Sequence, residues 1–284
     1  MTGFWDALFG LGDKLAAHVL LSAAAIALGI AVALPLAIWA SRSEKVARAS
    51  LAFASLVQTI PALALLALFF PILLSLRAIF GEGLPTLGFL PALLALALYA
   101  LLPILRNAVT AQANLDPGVI EAAAGVGMNL RQRLLLVEAP LAAPYIMAGI
   151  RTAAVWTIGA ATLATTIGQK SLGDPIFAGL QTQNWVLVLA GCVASAGLAL
   201  VADTLLGLIE RGFRERKRGH WLGGLAVVAL GVLAALFVQF GGRDDDDRIV
   251  IGAKGFSEQY VLARLIGQRL AAEGFEVEYR DGLG

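Results

Sequence analysis

Six long apolar runs, at 18–40, 51–76, 84–105, 144–167, 185–209 and 221–240, decide what this chain can become. Crossing about 30 Å of hydrocarbon takes about 20 apolar residues in a helix. Inside hydrocarbon, only a helix or a closed barrel satisfies its own backbone polar groups. The runs are continuous and rich in Ala and Leu instead of alternating, which excludes barrel strands. The first three carry no Asp, Glu, Lys or Arg, the fourth only Arg151 and the fifth only Asp203. The expected fold class is therefore all-α, a membrane protein with six transmembrane helices. The first run is too long for the apolar core of a cleaved signal peptide, about 7–15 residues. Residues 1–17 ahead of it read as an interfacial segment, with Phe4, Trp5 and Phe9 as aromatic anchors.

The chain is 59% hydrophobic and 14% charged, against about 25% charged in soluble domains. That balance excludes an ordinary cytosolic enzyme or a disordered tail. A net charge of +1 offers no field that would draw nucleic acid. Cys192 is the one cysteine, so neither an intramolecular disulfide nor a cysteine-built metal site is expected. It reads as a buried, inert thiol in the fifth span. His18 and His220 are too far apart in sequence to suggest a ligand pair. No catalytic group and no metal site is expected, and the lack of a His/Asp/Glu cluster or a Ser–base arrangement in the spans disfavours a membrane-embedded enzyme.

Basic residues orient the bundle. The loops after spans one, three and five hold eleven Lys and Arg, whereas the intervening loops hold two, Arg77 and Lys170. The basic loops are therefore expected in the cytoplasm, with both termini outside.

The loop at 106–143 is long for a connection between packed helices. Asp116-Pro117 reads as an N-cap followed by proline at the first helical position, and Gly125-Val126-Gly127 as a break. Asn129 with Gln132 resembles a capping box, and Pro140 is expected to end that second helix. On pattern alone the segment is either a plain connector or a docking element. Its small residues Ala122, Ala123, Gly125 and Gly127 would let another backbone approach closely.

Glu121-Ala122-Ala123, Gly127, Val137 and Pro140 follow EAA–x3–G–x9–(I/V)–x–x–P. This pattern resembles the coupling loop of permease subunits in binding-protein-dependent ABC importers. Gln58 to Ala64, Leu102 to Asn107, Gly149 to Ala153 and Gly168 to Asp174 are similar to signatures of the branch that imports glycine betaine, choline, carnitine and related osmoprotectants. Ala139 departs from the usual Leu, and Lys170-Ser171 from a usual pair of small residues. The resemblance, over residues 4–218, implies a type I importer permease in a bacterial cytoplasmic (inner) membrane, acting as a homodimer. Its coupling loop, residues Glu121, Ala122, Ala123, Gly125, Gly127 and Pro140, would dock on a separate ATP-binding subunit. ATP and magnesium would be held by that subunit, and this chain has no G-x-x-x-x-G-K-[ST] phosphate loop of its own. The solute implied is a small cationic or zwitterionic molecule. An amino-acid importer remains open, as does an ATPase-independent channel.

Beyond the permease domain at 18–218 lie a sixth helix and acidic linker at 219–247. Residues 248–284 then read as strand, helix and strand, β-branched at 249–251 and alternating at 275–279. That order resembles the start of the substrate-binding domain of the same importers, an α/β fold continuing past residue 284. Within it, Gln259 and Tyr260 either contact ligand or merely cover the first helix.

Polar groups inside the spans complete the candidates. Arg151 and Asp203 should lie at similar depth, roughly 10 Å from the cytoplasmic ends of their helices. They either pair or snorkel separately to the interface. Gln58, Thr59 and Pro61 in the second span, with Trp156 and Thr157 in the fourth, either line a translocation path or pack a kink.

Overall fold

A computed structural model describes residues 2–241, 248–253 and 257–281. They form two compact units, Met1–Gln239 and Phe240–Gly284. In the first unit, α1 (Thr2–Phe9) precedes α2 (Gly12–Ala40), α3 (Glu44–Thr59), α4 (Ala62–Phe80) and α5 (Phe89–Ala113). The loop at 106–143 carries α6 (Pro117–Gly125), α7 (Leu130–Arg133) and a π-helical turn, Leu134–Glu138. These lead into α8 (Ala139–Ala161), a 3₁₀ turn (Thr162–Ile167), α9 (Gly173–Thr182), α10 (Trp185–Arg214) and α11 (Arg218–Gly241). Six helices are long and apolar enough to cross a membrane.

Two proline positions behave differently from the sequence expectation. The run at 51–76 is not one helix, because it breaks at Ile60-Pro61. The residue before proline is pushed out of the helical region, and Ile60 sits at φ −75°, ψ 125°. α3 is therefore a separate helix with a basic first half, and α4 alone is the span. Pro140, by contrast, does not end its helix: residues Leu130–Ile167 run on as one 38-residue helical rod. The rod takes up the proline by widening just before it, in the π turn at Leu134–Glu138. The 10-residue α9 was not foreseen.

α5 is the centre of the bundle, packed on α2, α3, α4 and α8. Its buried face alternates small and large residues, among them Ala92, Leu96, Ala100, Ile104 and Leu105. Between membrane helices, small residues let backbones approach and gain van der Waals contact. At the closest point α8 passes α5 through Gly149, where a Cβ would stand 2.8 Å from the Pro103 carbonyl oxygen. α1 packs along α10 through Phe4, Ala7 and Leu8, with Leu11 and Leu172 beneath.

The second unit is a β-α-β: β1 (Arg248–Ala253), α12 (Ser257–Ala272) and β2 (Glu276–Asp281). The strands pair in parallel from Arg248↔Glu276 to Ala253↔Asp281, and Arg264 lies over the Tyr279 ring at 4.2 Å.

Candidate functional site

The loop at 106–143 is built by local capping. Asp116 Oδ1 accepts from Gly118 N–H at 2.8 Å and starts α6. Asn129 and Gln132 close a reciprocal capping box, each side chain accepting from the other's N–H at 2.9 Å. Between the helices Gly127 turns at φ +78°, a left-handed conformation natural to glycine. α6 presents Glu121, Ala122 and Gly125 outward while Ala123 is buried at 5% exposure. Among the described residues, Glu121 has no ion-pair partner. On the same loop Val126 and Leu130 are 75% and 58% exposed. Pro140 is exposed too, although one helical stretch away from that face. An exposed carboxylate on a loop that also exposes small and apolar side chains is a surface that another protein can cover.

Arg151 and Asp203 meet. Arg151 Nε donates to Asp203 Oδ1 at 2.6 Å and Nη2 to Oδ2 at 2.7 Å, a bidentate pair joining α8 to α10. Nη1 also donates to Glu210 Oε2 at 3.3 Å. Gly207 makes room, since a Cβ there would stand 3.2 Å from the guanidinium carbon. Asp203, Gly207 and Glu210 recur at i, i+4 and i+7, one face of a helix. Gly207 and Glu210 were not foreseen from the sequence, although that spacing is the signal that could have found them. The cluster borders an open cavity of about 390 Å³ with Ala148 and Thr152.

The five residues at the second and fourth spans are not brought to one surface. Gln58 Nε2 donates to the Tyr99 carbonyl of α5 at 3.2 Å. Tyr99 is four residues before Pro103, so this carbonyl is the one that the proline leaves without its helical donor. Thr59 bonds back to Leu56 in its own helix, and Pro61 is exposed at the break. Trp156 is 49% exposed, whereas its neighbour Thr157 is fully buried. Cys192 is exposed on α10 and not buried as expected. On α12, Gln259 is exposed and Tyr260 partly buried.

Sequence reasoning passed over His18. It is fully buried; its Nδ1 accepts from Leu172 N–H at 3.2 Å and its Nε2 lies 3.0 Å from the Ile158 carbonyl. Those partners assign the neutral ring with its proton on Nε2. Nearby, Thr165 Oγ1 donates to Asp174 Oδ1 at 2.6 Å and Gly173 N–H to Ser171 Oγ at 3.0 Å. One ring thus ties α2, α8 and the entry to α9 together. A lone histidine at the head of an apolar run carries no spacing that would reveal this.

Residues 23–215, from α2 to the end of α10, match the family described as binding-protein-dependent transport system inner membrane components. The chain belongs to this family. It is the membrane permease of an ABC importer, with the type I permease fold. The glycine betaine/carnitine/choline transport system permease protein OpuCB of Bacillus subtilis (strain 168) is 41% identical over 198 residues, 70% of this chain and 86% of that protein. The choline transport system permease protein OpuBB of the same organism is 40% identical, covering 68% and 84%. The osmoprotectant import permease protein OsmW of Salmonella typhimurium is 40% identical, covering 68% and 86%. A solved chain of the MetNI methionine ABC transporter, in an inward-facing form, superposes with a TM-score of 0.61 at 20% identity, covering 70% of this permease and 94% of that chain. α11 and the β-α-β unit lie beyond the family match.

Proposed function

We propose that this permease imports a small quaternary-ammonium or betaine-like solute, driven by ATP hydrolysis in a separate subunit. The observation that carries the solute class is that relatives at 40% identity or more are named for glycine betaine, carnitine, choline or osmoprotectants. Two copies form the pore, with the basic loops in the cytoplasm and both termini outside. The face around Glu121, Ala122, Ala123, Gly125 and Gly127 docks on the ATP-binding subunit, which holds ATP and magnesium. An exposed carboxylate with no partner of its own supports that reading, because a basic groove in the partner would complete it. The Arg151–Asp203–Glu210 cluster ties α8 to α10 near the inner gate. The β-α-β unit is the opening of a substrate-binding domain, which α11 carries to the outer face, and Gln259 and Tyr260 stand near its ligand.

Affinity purification from native membranes tests the central claim. The wild-type chain is expected to bring down an ATP-hydrolysing subunit, and Glu121→Arg to lose it while still inserting in the membrane. A folded preparation without any ATPase, or unchanged recovery and uptake in Glu121→Arg, would overturn it.

A further inference from the structure

The loop joins the bundle through the π turn at Leu134–Glu138, whose last bond runs from Ala139 N–H to the Leu134 carbonyl, five residues back. Pro140 accounts for the change of register. It has no N–H for the Leu136 carbonyl, and in a regular helix its ring would press on that carbonyl. π turns are rare and gather at functional positions. This one is bridged by an ion pair: Arg133 Nε donates to Glu138 Oε1 at 2.7 Å, with the carboxylate side chain 7% exposed. In an α-helix five residues advance about 500°, which leaves two side chains about 140° apart. A turn closed by i→i+5 bonds takes more residues per revolution, which brings the two side chains closer to one face. The pair therefore fits the π turn and opposes its relaxation to α.

This turn is also the mechanical path. α6 contacts α7, and α7, the π turn and α8 follow one another as a single helix, so the turn is the covalent route from the loop helices into α8. Behind the loop a cavity of about 600 Å³, bordered by Arg42, Gln112, Glu121, Arg133 and Glu138, leaves it free of close bracing by the bundle. A joint that slips between π and α register takes up displacement instead of passing it on.

We propose that Arg133 and Glu138 form a clasp that holds the π turn closed, so that movement of the loop is delivered to α8. Both are positioning residues, and the inference rests on the import function proposed above. The test uses the whole complex (permease, ATPase subunit and receptor) in proteoliposomes, with uptake of radiolabelled choline or glycine betaine and ATP hydrolysis measured together. Arg133→Ala and Glu138→Ala are each expected to lower solute imported per ATP by about tenfold or more, because the turn then yields instead of passing displacement on; Arg133→Ala also strands the buried Glu138 carboxylate. Exchange of the charges, Arg133→Glu with Glu138→Arg, restores most of that ratio. Uptake and hydrolysis falling in parallel, or no recovery on exchange, overturns the clasp. Absence of ATP-driven uptake by the wild-type complex overturns the import function and the inference together. Thermal unfolding of the permease alone in detergent separates the two: the single and double alanine variants should be non-additive, and strict additivity overturns the clasp whatever the transport result.

Discussion

At the scale of single residues, the polar groups of the bundle act by repairing backbone that other residues disturb. Gln58 supplies the donor that Pro103 denies to Tyr99. Gly207 gives up a side chain so that the Arg151 guanidinium can lie between Asp203 and Glu210. His18 serves two backbone groups 14 residues apart, Ile158 and Leu172, with one ring. Each buried polar group left unpaired costs about 1–3 kcal/mol. His18→Phe keeps roughly the ring volume and removes both bonds, so a loss of about 2–6 kcal/mol is expected from the same per-group cost, read as a lowered unfolding midpoint in detergent. A midpoint within error of wild type would show that the ring only fills space. Of these roles only the Arg151–Asp203 pairing was open to the sequence, as one of two alternatives; the roles of Gln58 and His18 depend on partners more than 40 residues away.

Elements were legible where their causes are local. The Asp116 cap, the Asn129–Gln132 box and the glycine turn at Gly127 are set by residues within three positions of one another, and both loop helices begin where those residues dictate. The errors arose at prolines. Pro61 breaks a helix and Pro140 does not, although both interrupt apolar stretches, since the outcome turns on whether the neighbouring turn can widen or start afresh. Gly127→Val forces a β-branched residue into left-handed backbone at a cost of about 1–2 kcal/mol. Amide hydrogen exchange across α6 and α7 should accelerate by about tenfold in that variant, one decade per 1.4 kcal/mol, with uptake reduced and Gly127→Asn milder. Unchanged exchange would mean that the loop does not need the glycine turn.

On the scale of the whole molecule, apolar length and the basic loops predict a topology that labelling can check. In a Cys192→Ser background, which removes the exposed thiol, Glu82→Cys should react with a membrane-impermeant maleimide on intact cells. Arg216→Cys should react only after permeabilisation. The reverse pattern would invert the bundle. By itself the sequence determined the membrane class, the spans apart from the 51–76 run, the capped loop and the permease family, because apolar run length, capping chemistry and the EAA–G–P pattern are all written along the chain. Only the tertiary structure decided which polar groups meet. It paired Arg151 with Asp203 and Glu210, turned Gln58 toward Tyr99, buried Thr157 beside an exposed Trp156, and set Arg133 over Glu138 across a π turn. The physical reason is that helix faces and register come from close packing around α5, where glycine and proline fix the approach of backbones. A pattern read along one helix carries no record of its neighbour's phase.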